Sequence, residues 1–308
     1  MDFIRGLHNM RSQHQGCVAT IGNFDGVHRG HQAIIAQLLS KSRELQLPSL
    51  VMVFEPQPRE FFTPEQAPAR LTTVREKSEL LYESGVDRVM IIRFNKVFCS
   101  QSAHEFCKNI LLDGLGVKHL VVGDDFRFGS DRCGDFEFLQ RFGSAHGFTV
   151  EDTESHLLDD TRVSSTQVRN ALAASDFAQA ERLLGRIYGM SGRVVHGDKI
   201  GRTLSFPTAN VLLNRLKSPL NGVFLVSIEG IGDQLLPAVA NVGLRPTVNG
   251  HQSRIEAHLL NFDQNIYGRR VHVMFHKKIR AEKKFNNLDE LKKNIQLDIE
   301  NAKAFFNL

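Results

Sequence analysis

The stretch that most limits what this chain can fold into runs from Cys17 to Leu45. The apolar run Cys17 to Ile21 reads as a buried strand, and it breaks into Gly22, Asn23, Asp25 and Gly26 before His28-Arg29-Gly30-His31. Apolar residues then recur at Ile34, Ile35, Leu38, Leu39 and Leu45, which is one face of a helix. A strand, a Gly-containing turn and a helix start together leave the first backbone N–H groups of the helix unpaired. The helix dipole favours an anion beside them. Two histidines three apart on such a turn can both face that anion.

The first half repeats the strand-and-helix theme. Leu50 to Phe54, Val89 to Ile92 and His119 to Val122 read as further buried strands, with a short one near Phe148 to Val150. Glu55-Pro56-Gln57-Pro58 reads as loop, because proline cannot continue a ladder. Thr73 with Glu76, and Ser102 with Glu105, are capping boxes that open helices. A helix is also expected around Phe136 to Phe142. Strands and helices at this spacing predict a doubly wound parallel sheet, in which ligands bind beyond the carboxyl ends of the strands. The polar signatures Asn23 to His31, Glu55 to Arg59 and Gly123 to Arg127 all follow strand ends.

Ser164-Ser165-Thr166-Gln167-Val168-Arg169 leads into two further helices, Val168 to Ala174 and Phe177 to Leu184. Hydroxyls, helix-start N–H groups and a guanidinium one turn in could hold one phosphate. An ordinary N-cap is the simpler alternative.

From about Gly185 the character changes. Five short β-like runs follow, at residues 192–195, 223–228, 237–242, 254–260 and 270–275, separated by Gly, Pro and Asn. They read as an antiparallel barrel or sandwich of about six strands. Leu291, Ile295, Ile299 and Ala302 then fall on one face of a final helix, Leu288 to Phe306, which should pack on that β domain. The expected organisation is an α/β doubly wound parallel sheet in residues 1–184, then a six-stranded antiparallel β-barrel with a C-terminal helix in 185–308. The length of 308 residues suits two domains.

The formal net charge of +4 fits anionic small molecules better than nucleic acid, and none is expected as a partner. The four cysteines form no C-x-x-C pair, which argues against a zinc ribbon and for a reducing cytoplasm. No apolar run approaches the ~18 residues a membrane span needs, and the N-terminus lacks the apolar core of a signal peptide.

Several motifs have competing readings. His28 and His31 could be metal ligands, but no Cys or carboxylate stands at ligand spacing. Gly197 to Thr203 has three residues between its glycines, and Arg where a P-loop has Lys, so the Walker reading fails. Thr208 and Asn210 are two apart, so in extended chain they share a face, and their neutral oxygens suit a hard cation beside phosphates. Glu256 and His258 share a face in the same way, although a lone Glu there is more often surface.

With these residues in view, IGNFDGVHRGH resembles the H-x-G-H signature of the nucleotidyltransferase superfamily, and Ser164-Ser165-Thr166-x-x-Arg169 its second phosphate motif. FEPQPREFF and VVGDDFRFG resemble the bacterial flavin-adenylylating branch. GRTLSFPTAN, NGVF, ANVGLRPT and IEAHLLNFD resemble a riboflavin kinase. In tandem they cover nearly the whole chain, in the order of the bacterial bifunctional riboflavin kinase/FMN adenylyltransferase family. Ser205 stands where that family commonly has Gly.

The resemblance implies two reactions: riboflavin with ATP gives FMN, and FMN with a second ATP gives FAD and pyrophosphate. It implies Mg²⁺, held with phosphate by Thr208 and Asn210, and Glu256 as the base for the ribityl hydroxyl. Lys199, Gly201 and Arg202 would shape a nucleotide loop. His28 and His31, with Gly22 and Gly30 around them, would meet the α-phosphate, and Asn23 and Asp25 would order the loop or the incoming FMN. Ser164, Ser165, Thr166 and Arg169 would hold pyrophosphate, and Asp125, Phe126 and Arg127 would contact flavin or nucleotide. A single-activity adenylyltransferase with a flavin-sensing barrel, and a non-catalytic regulator, are the rival readings at this point.

Overall fold

A computed structural model describes residues 2–123, 125–153, 157–158, 161–196, 206–247 and 250–308. The chain forms two compact units, Met1–Ala67 with Lys77–Val163, and Pro68–Glu76 with Ser164–Leu308.

The first unit is built on six parallel strands: β1 (Asp2–Arg5), β2 (Cys17–Ile21), β3 (Ser49–Glu55), β4 (Arg88–Arg93), β5 (Val117–Val122) and β6 (Thr149–Asp152). Their order is β1-β4-β3-β2-β5-β6. Every residue of β2 is buried, as it must be when helices cover both faces of a parallel sheet. The chain winds from β2 outward to β3 and β4, then returns to the other side of β2 for β5. That reversal sets the carboxyl ends of β2 and β5 side by side, the crevice in which open α/β sheets take their ligands. Both expected capping boxes form: in this unit Ser102 N donates to Glu105 Oε2 at 2.8 Å, and in the second Thr73 N donates to Glu76 Oε2 at 2.6 Å. A short antiparallel ribbon, β7 (Leu157–Leu158) with β8 (Thr161–Arg162), follows.

Two features of this unit depart from the sequence reading. Asp2–Arg5 is an edge strand in which only Ile4 is buried, too short for any periodicity to register. Glu55 to Pro58 is loop only in part. Pro58 opens a short helix, Pro58–Phe62, as its first residue, where a missing N–H breaks no helical bond.

The second unit starts with helices Ser165–Ala173 and Phe177–Leu184. Six antiparallel strands follow: β9 (Gly189–Val195), β10 (Ala209–Leu212), β11 (Gly222–Glu229), β12 (Leu236–Thr247), β13 (Gly250–Leu259) and β14 (Arg270–Arg280). They close in the order β10-β13-β12-β11-β14-β9. Barrel is decided over sandwich by β9 pairing with β10, Val194 opposite Val211, which joins the two ends. The strand missing from the five apolar runs is Ala209–Leu212, only four residues long. Val211, Ala240, Ile255, Ala257 and Val273 are fully buried. Alternate residues Val223, Leu225 and Val239 pack instead against Ile299 and Ala302 of the C-terminal helix, Leu288–Phe306. Arg280 pins that helix, its Nη2 donating to Asp298 Oδ2 at 2.8 Å. No helix among the described residues is long and apolar enough to cross a membrane.

Candidate active sites

The turn after β2 is strained and tightly packed. Phe24 and Val27 take left-handed backbone, φ 46° and 40°, as does Gly26 at 86°. For a β-branched residue such as Val27 this is a true outlier, costing about 1–3 kcal/mol. Burial holds it in place, since Phe24 and Val27 are 2% and 1% exposed. Gln32 Nε2 donates to the Val27 carbonyl at 3.0 Å. A Cβ at Gly22 would lie 3.0 Å from the Phe24 ring, which would have to shift by a few tenths of an ångström to admit it.

This turn delivers His28 as the N-cap of the helix Arg29–Leu45. His28 Nδ1 accepts from His31 N–H at 3.3 Å, so Nδ1 carries no proton and Nε2 carries it. The two rings stack, centroids 3.6 Å apart and 19° from parallel. Phe24 closes the other side, 4.9 Å from the His31 ring. The His28 ring lies over Gly30, where a Cβ would meet it at 3.2 Å and the Val163 carbonyl at 3.0 Å. The first turn of the helix carries no acidic residue. The result is an N–H-rich, dipole-positive helix start with two imidazoles on it, suited to a phosphate. Asp25 is buried beneath the turn, and Asn23 is exposed on it.

Across the switch point, the loop after β5 presents Asp125 and Arg127 to solvent. Phe126 is half-buried and stacks on Phe128, centroids 5.4 Å apart. Asp125 faces Arg162 at 3.7 Å. This loop and the His28 turn leave adjacent strands, as their placement after strand ends implied.

Ser164 to Arg169 lies in the second unit. Ser164 is the N-cap: its hydroxyl accepts from Gln167 N–H at 3.3 Å, and its own N–H is taken by Gln167 Oε1 at 2.9 Å. The ordinary capping role is therefore real for Ser164. Ser165 and Thr166 stand on the first turn, and Arg169 Nε donates to the Ala69 carbonyl at 2.7 Å.

The barrel holds a second constellation. Glu256 on β13 sits opposite Asn210 on β10 and opposite Asn241 on β12. Between barrel and C-terminal helix lies a cavity of about 280 Å³, lined by Thr208, Glu256, Asn241, His258, the Arg280–Asp298 pair and apolar residues including Phe206 and Ile295. A second cavity of about 200 Å³ lies beside Phe262, Asn265 and Tyr267. Thr208 lines both. His258 Nδ1 meets the Pro207 carbonyl at 2.9 Å, fixing the segment that carries Thr208. Asn210 lines neither cavity; its Oδ1 accepts from Arg254 Nη1 at 3.3 Å. Lys199, Gly201 and Arg202, and Ser205 with them, lie outside the described residues. The sequence reading paired His258 with Glu256 and set Ile295 on the helix face that packs on the β domain, but gave Phe206, Asn241 and Ile295 no place in a site. An apolar face shared by distant strands and a helix leaves no local signal.

Residues 10–167 match the family model of FAD synthetase, and residues 184–306 that of riboflavin kinase. A bifunctional riboflavin kinase/FMN adenylyltransferase of Pseudomonas fluorescens is 57% identical over 305 residues, 99% of this chain and 97% of that one. The enzyme of the same name from Escherichia coli K12 is 50% identical over 309 residues, covering 100% and 99%. That of Haemophilus influenzae is 49% identical over the whole of both chains. A Streptococcus pneumoniae crystal structure named as a macrolide-efflux protein superposes with a TM-score of 0.82 at 30% identity, over 98% of this chain and 99% of that one.

Proposed function

The chain belongs to the bifunctional riboflavin kinase/FMN adenylyltransferase family, and on that footing we propose which residues carry each of its two reactions. It phosphorylates riboflavin with ATP to FMN, then transfers AMP from a second ATP to FMN, giving FAD and pyrophosphate. Adenylyl transfer is assigned to residues 1–184 and phosphorylation to residues 185–308.

The observation that carries the kinase reading is Thr208, which stands between two cavities. The larger, walled by Phe206, Val239, Leu291, Ile295 and Ile299, suits a planar apolar ring such as that of riboflavin. The smaller takes the nucleotide, so the γ-phosphoryl group crosses at Thr208. Glu256, in the flavin cavity, accepts the proton of the ribityl hydroxyl as its oxygen bonds to the γ-phosphorus and ADP leaves. Lys199, Gly201 and Arg202 complete the nucleotide loop. The Thr208 hydroxyl and the Glu256 carboxylate are hard donors that fit Mg²⁺, and Asn210, which lines neither cavity, would join them only by turning its Oδ1 away from Arg254. Among the described residues no three His, Cys, Asp or Glu cluster to hold a metal, so most of its ligands would be substrate phosphate and water. When bound, Mg²⁺ neutralises charge on the phosphates.

In adenylyl transfer an oxygen of the FMN phosphate attacks the α-phosphorus and pyrophosphate departs. His28 donates through Nε2 and His31 lies stacked against it, so both meet negative charge growing on the α-phosphate. Gly22 and Gly30 let the rings and backbone close on that group. Asn23 and Asp25 order the turn. Ser164, Ser165, Thr166 and Arg169 hold the departing pyrophosphate, and Asp125, Phe126 and Arg127 contact the flavin side. The free cysteines of the described residues suit a reducing cytoplasm, where we place the enzyme.

One incubation tests the assignment: riboflavin, ATP and Mg²⁺ with parent, His31→Ala and Glu256→Ala proteins, resolving FMN and FAD. The parent yields both products. The first variant should stop at FMN. The second should make FAD only from supplied FMN. Any other pairing of variant and lost step refutes the assignment of residues.

A further inference from the structure

Residues 69–76 form a strap held by one buried arginine. The Arg215 side chain is 0% exposed. Its Nη2 donates to both carboxylate oxygens of Glu76, at 3.0 and 2.7 Å. Its Nη1 donates to the carbonyl oxygens of Arg70 and Leu71, at 3.2 and 3.3 Å, and to the Tyr188 hydroxyl at 3.2 Å. Tyr188 in turn donates to the Leu71 carbonyl at 3.1 Å. Glu76 also accepts from Ser191 N–H at 2.5 Å and from the Thr73 hydroxyl at 2.9 Å. The next carbonyl back along the strap, that of Ala69, accepts from Arg169 Nε at 2.7 Å. Two arginines therefore grip three consecutive carbonyls.

That adjacency has a mechanical consequence. The Ala69 carbonyl lies in the rigid peptide plane that runs through the Arg70 nitrogen to the Arg70 Cα. A change in the hold on the Arg70 and Leu71 carbonyls turns that plane and carries the anchor of Arg169 with it. We propose that Arg215, supported by Tyr188 and Glu76, is a positioning residue for adenylyl transfer. Through residues 69–71 it sets where the Arg169 guanidinium stands to receive pyrophosphate. The proposal rests on the reading of Arg169 as a pyrophosphate-holding residue. It gives a side chain that follows β10 of the kinase barrel a part in the other reaction.

The test uses the full-length enzyme run in both directions. Arg215→Lys keeps the positive charge beside Glu76 but loses the planar fork that reaches both carbonyls. The KM for pyrophosphate in the reverse reaction, FAD plus pyrophosphate to FMN plus ATP, should rise about tenfold or more, because small misplacements of a positioning group cost that much. The KM for FMN and the kinase rate should stay within about twofold, a split that a merely structural role would not give. Arg169→Ala, measured alongside, should raise the same KM at least as far. If Arg169→Ala raises it and Arg215→Lys does not, Arg215 has no positioning role. If Arg215→Lys lowers both activities together, its role is structural and the proposal falls. If Arg169→Ala leaves the KM unchanged, the reading of Arg169 is wrong and the proposal goes with it. Should Arg215→Lys fail to fold, Tyr188→Phe, which removes one hydroxyl from the same strap, is judged by the same split.

Discussion

The His28 ring lies flat on that of His31, centroids 3.6 Å apart, with His28 Nδ1 accepting the His31 backbone N–H. One imidazole thus caps the helix and supports the other. Losing either should disturb both, as expected for groups that act as a unit.

His31→Ala should cut adenylyl transfer by roughly a hundredfold to a thousandfold, the usual cost of removing a charge-stabilising donor. Phosphorylation of riboflavin should be unchanged. Gly30→Ala should reduce the same step without touching the phosphate, since its Cβ would press on the His28 ring and the Val163 carbonyl. Product analysis by chromatography reads both variants. FAD formed by His31→Ala at the parental rate would remove His31 from the mechanism.

Glu256→Gln keeps the shape of the side chain and loses the base. Kinase turnover should fall by about 10²–10⁴-fold with little change in the KM for riboflavin. Adenylylation of supplied FMN should proceed as in the parent. A kinase rate equal to the parent's would leave Glu256 as a wall of the cavity only.

Glu76→Gln takes the carboxylate from a fully shielded arginine and leaves that charge buried. Breaking such a pair on one side costs about 3–5 kcal/mol. Urea denaturation should show a clearly lower midpoint. Replacing the pair by Glu76→Gln with Arg215→Met should recover part of the loss, because no unpaired charge then remains. A single variant as stable as the parent would mean that solvent reaches Arg215 when its partner is gone.

Acidification should weaken the fold through two histidines. His119 is 3% exposed and His276 half-buried, and burial holds both pKa values below their ordinary 6.5. Glu151 beside His119 and Glu181 beside His276 oppose that shift without reversing it. Below 6.5 the unfolded chain binds protons that the folded chain resists, so stability is full above 6.5 and falls as pH drops through the lowered values. The denaturation midpoint should begin to decline as pH falls below 6.5 and level off once both histidines are protonated in the folded chain. His119→Gln with His276→Gln should flatten the decline. An unchanged slope in that double variant would assign the loss to other groups.

Thiol chemistry should separate the cysteines. Cys17 and Cys107 are fully buried, and desolvation pushes both thiols up to about 12. Cys133 is exposed, although its hydrogen bond with Asp131 also raises its pKa. Iodoacetamide under native conditions should label Cys133 and spare Cys17 and Cys107, as peptide mass mapping would show. Native labelling of Cys17 would mean that β2 opens on the timescale of the reaction.

The elements that sequence reading located are those whose environment is uniform along their length. Strands β2 to β5, buried over most of their length, print as largely apolar runs. The C-terminal helix, sealed on one face, prints a 3.6-residue repeat that ends at Phe306, where its last helical residue lies. Ala209–Leu212 and Asp2–Arg5 are too short to print either pattern. Pro56 and Pro58 stop the strand as proline must, but whether the chain then coils or turns helical depends on Glu60 reaching back to Gln57 at 3.0 Å.

By itself, then, the sequence determined the kinds of element, the change of architecture near residue 185, and the two signature sets that identify the family. These depend on local sterics and on the period of burial, which neighbouring residues encode directly. Only the tertiary structure decided the strand order that brings the β2 and β5 loops to one crevice, and the closure of β9 on β10. It alone set Thr208 between two cavities and Arg215 against Glu76, 139 residues away along the chain. Such pairings are chosen by the global packing of apolar faces and by the cost of burying an unmatched charge. Neither is a property of any one segment.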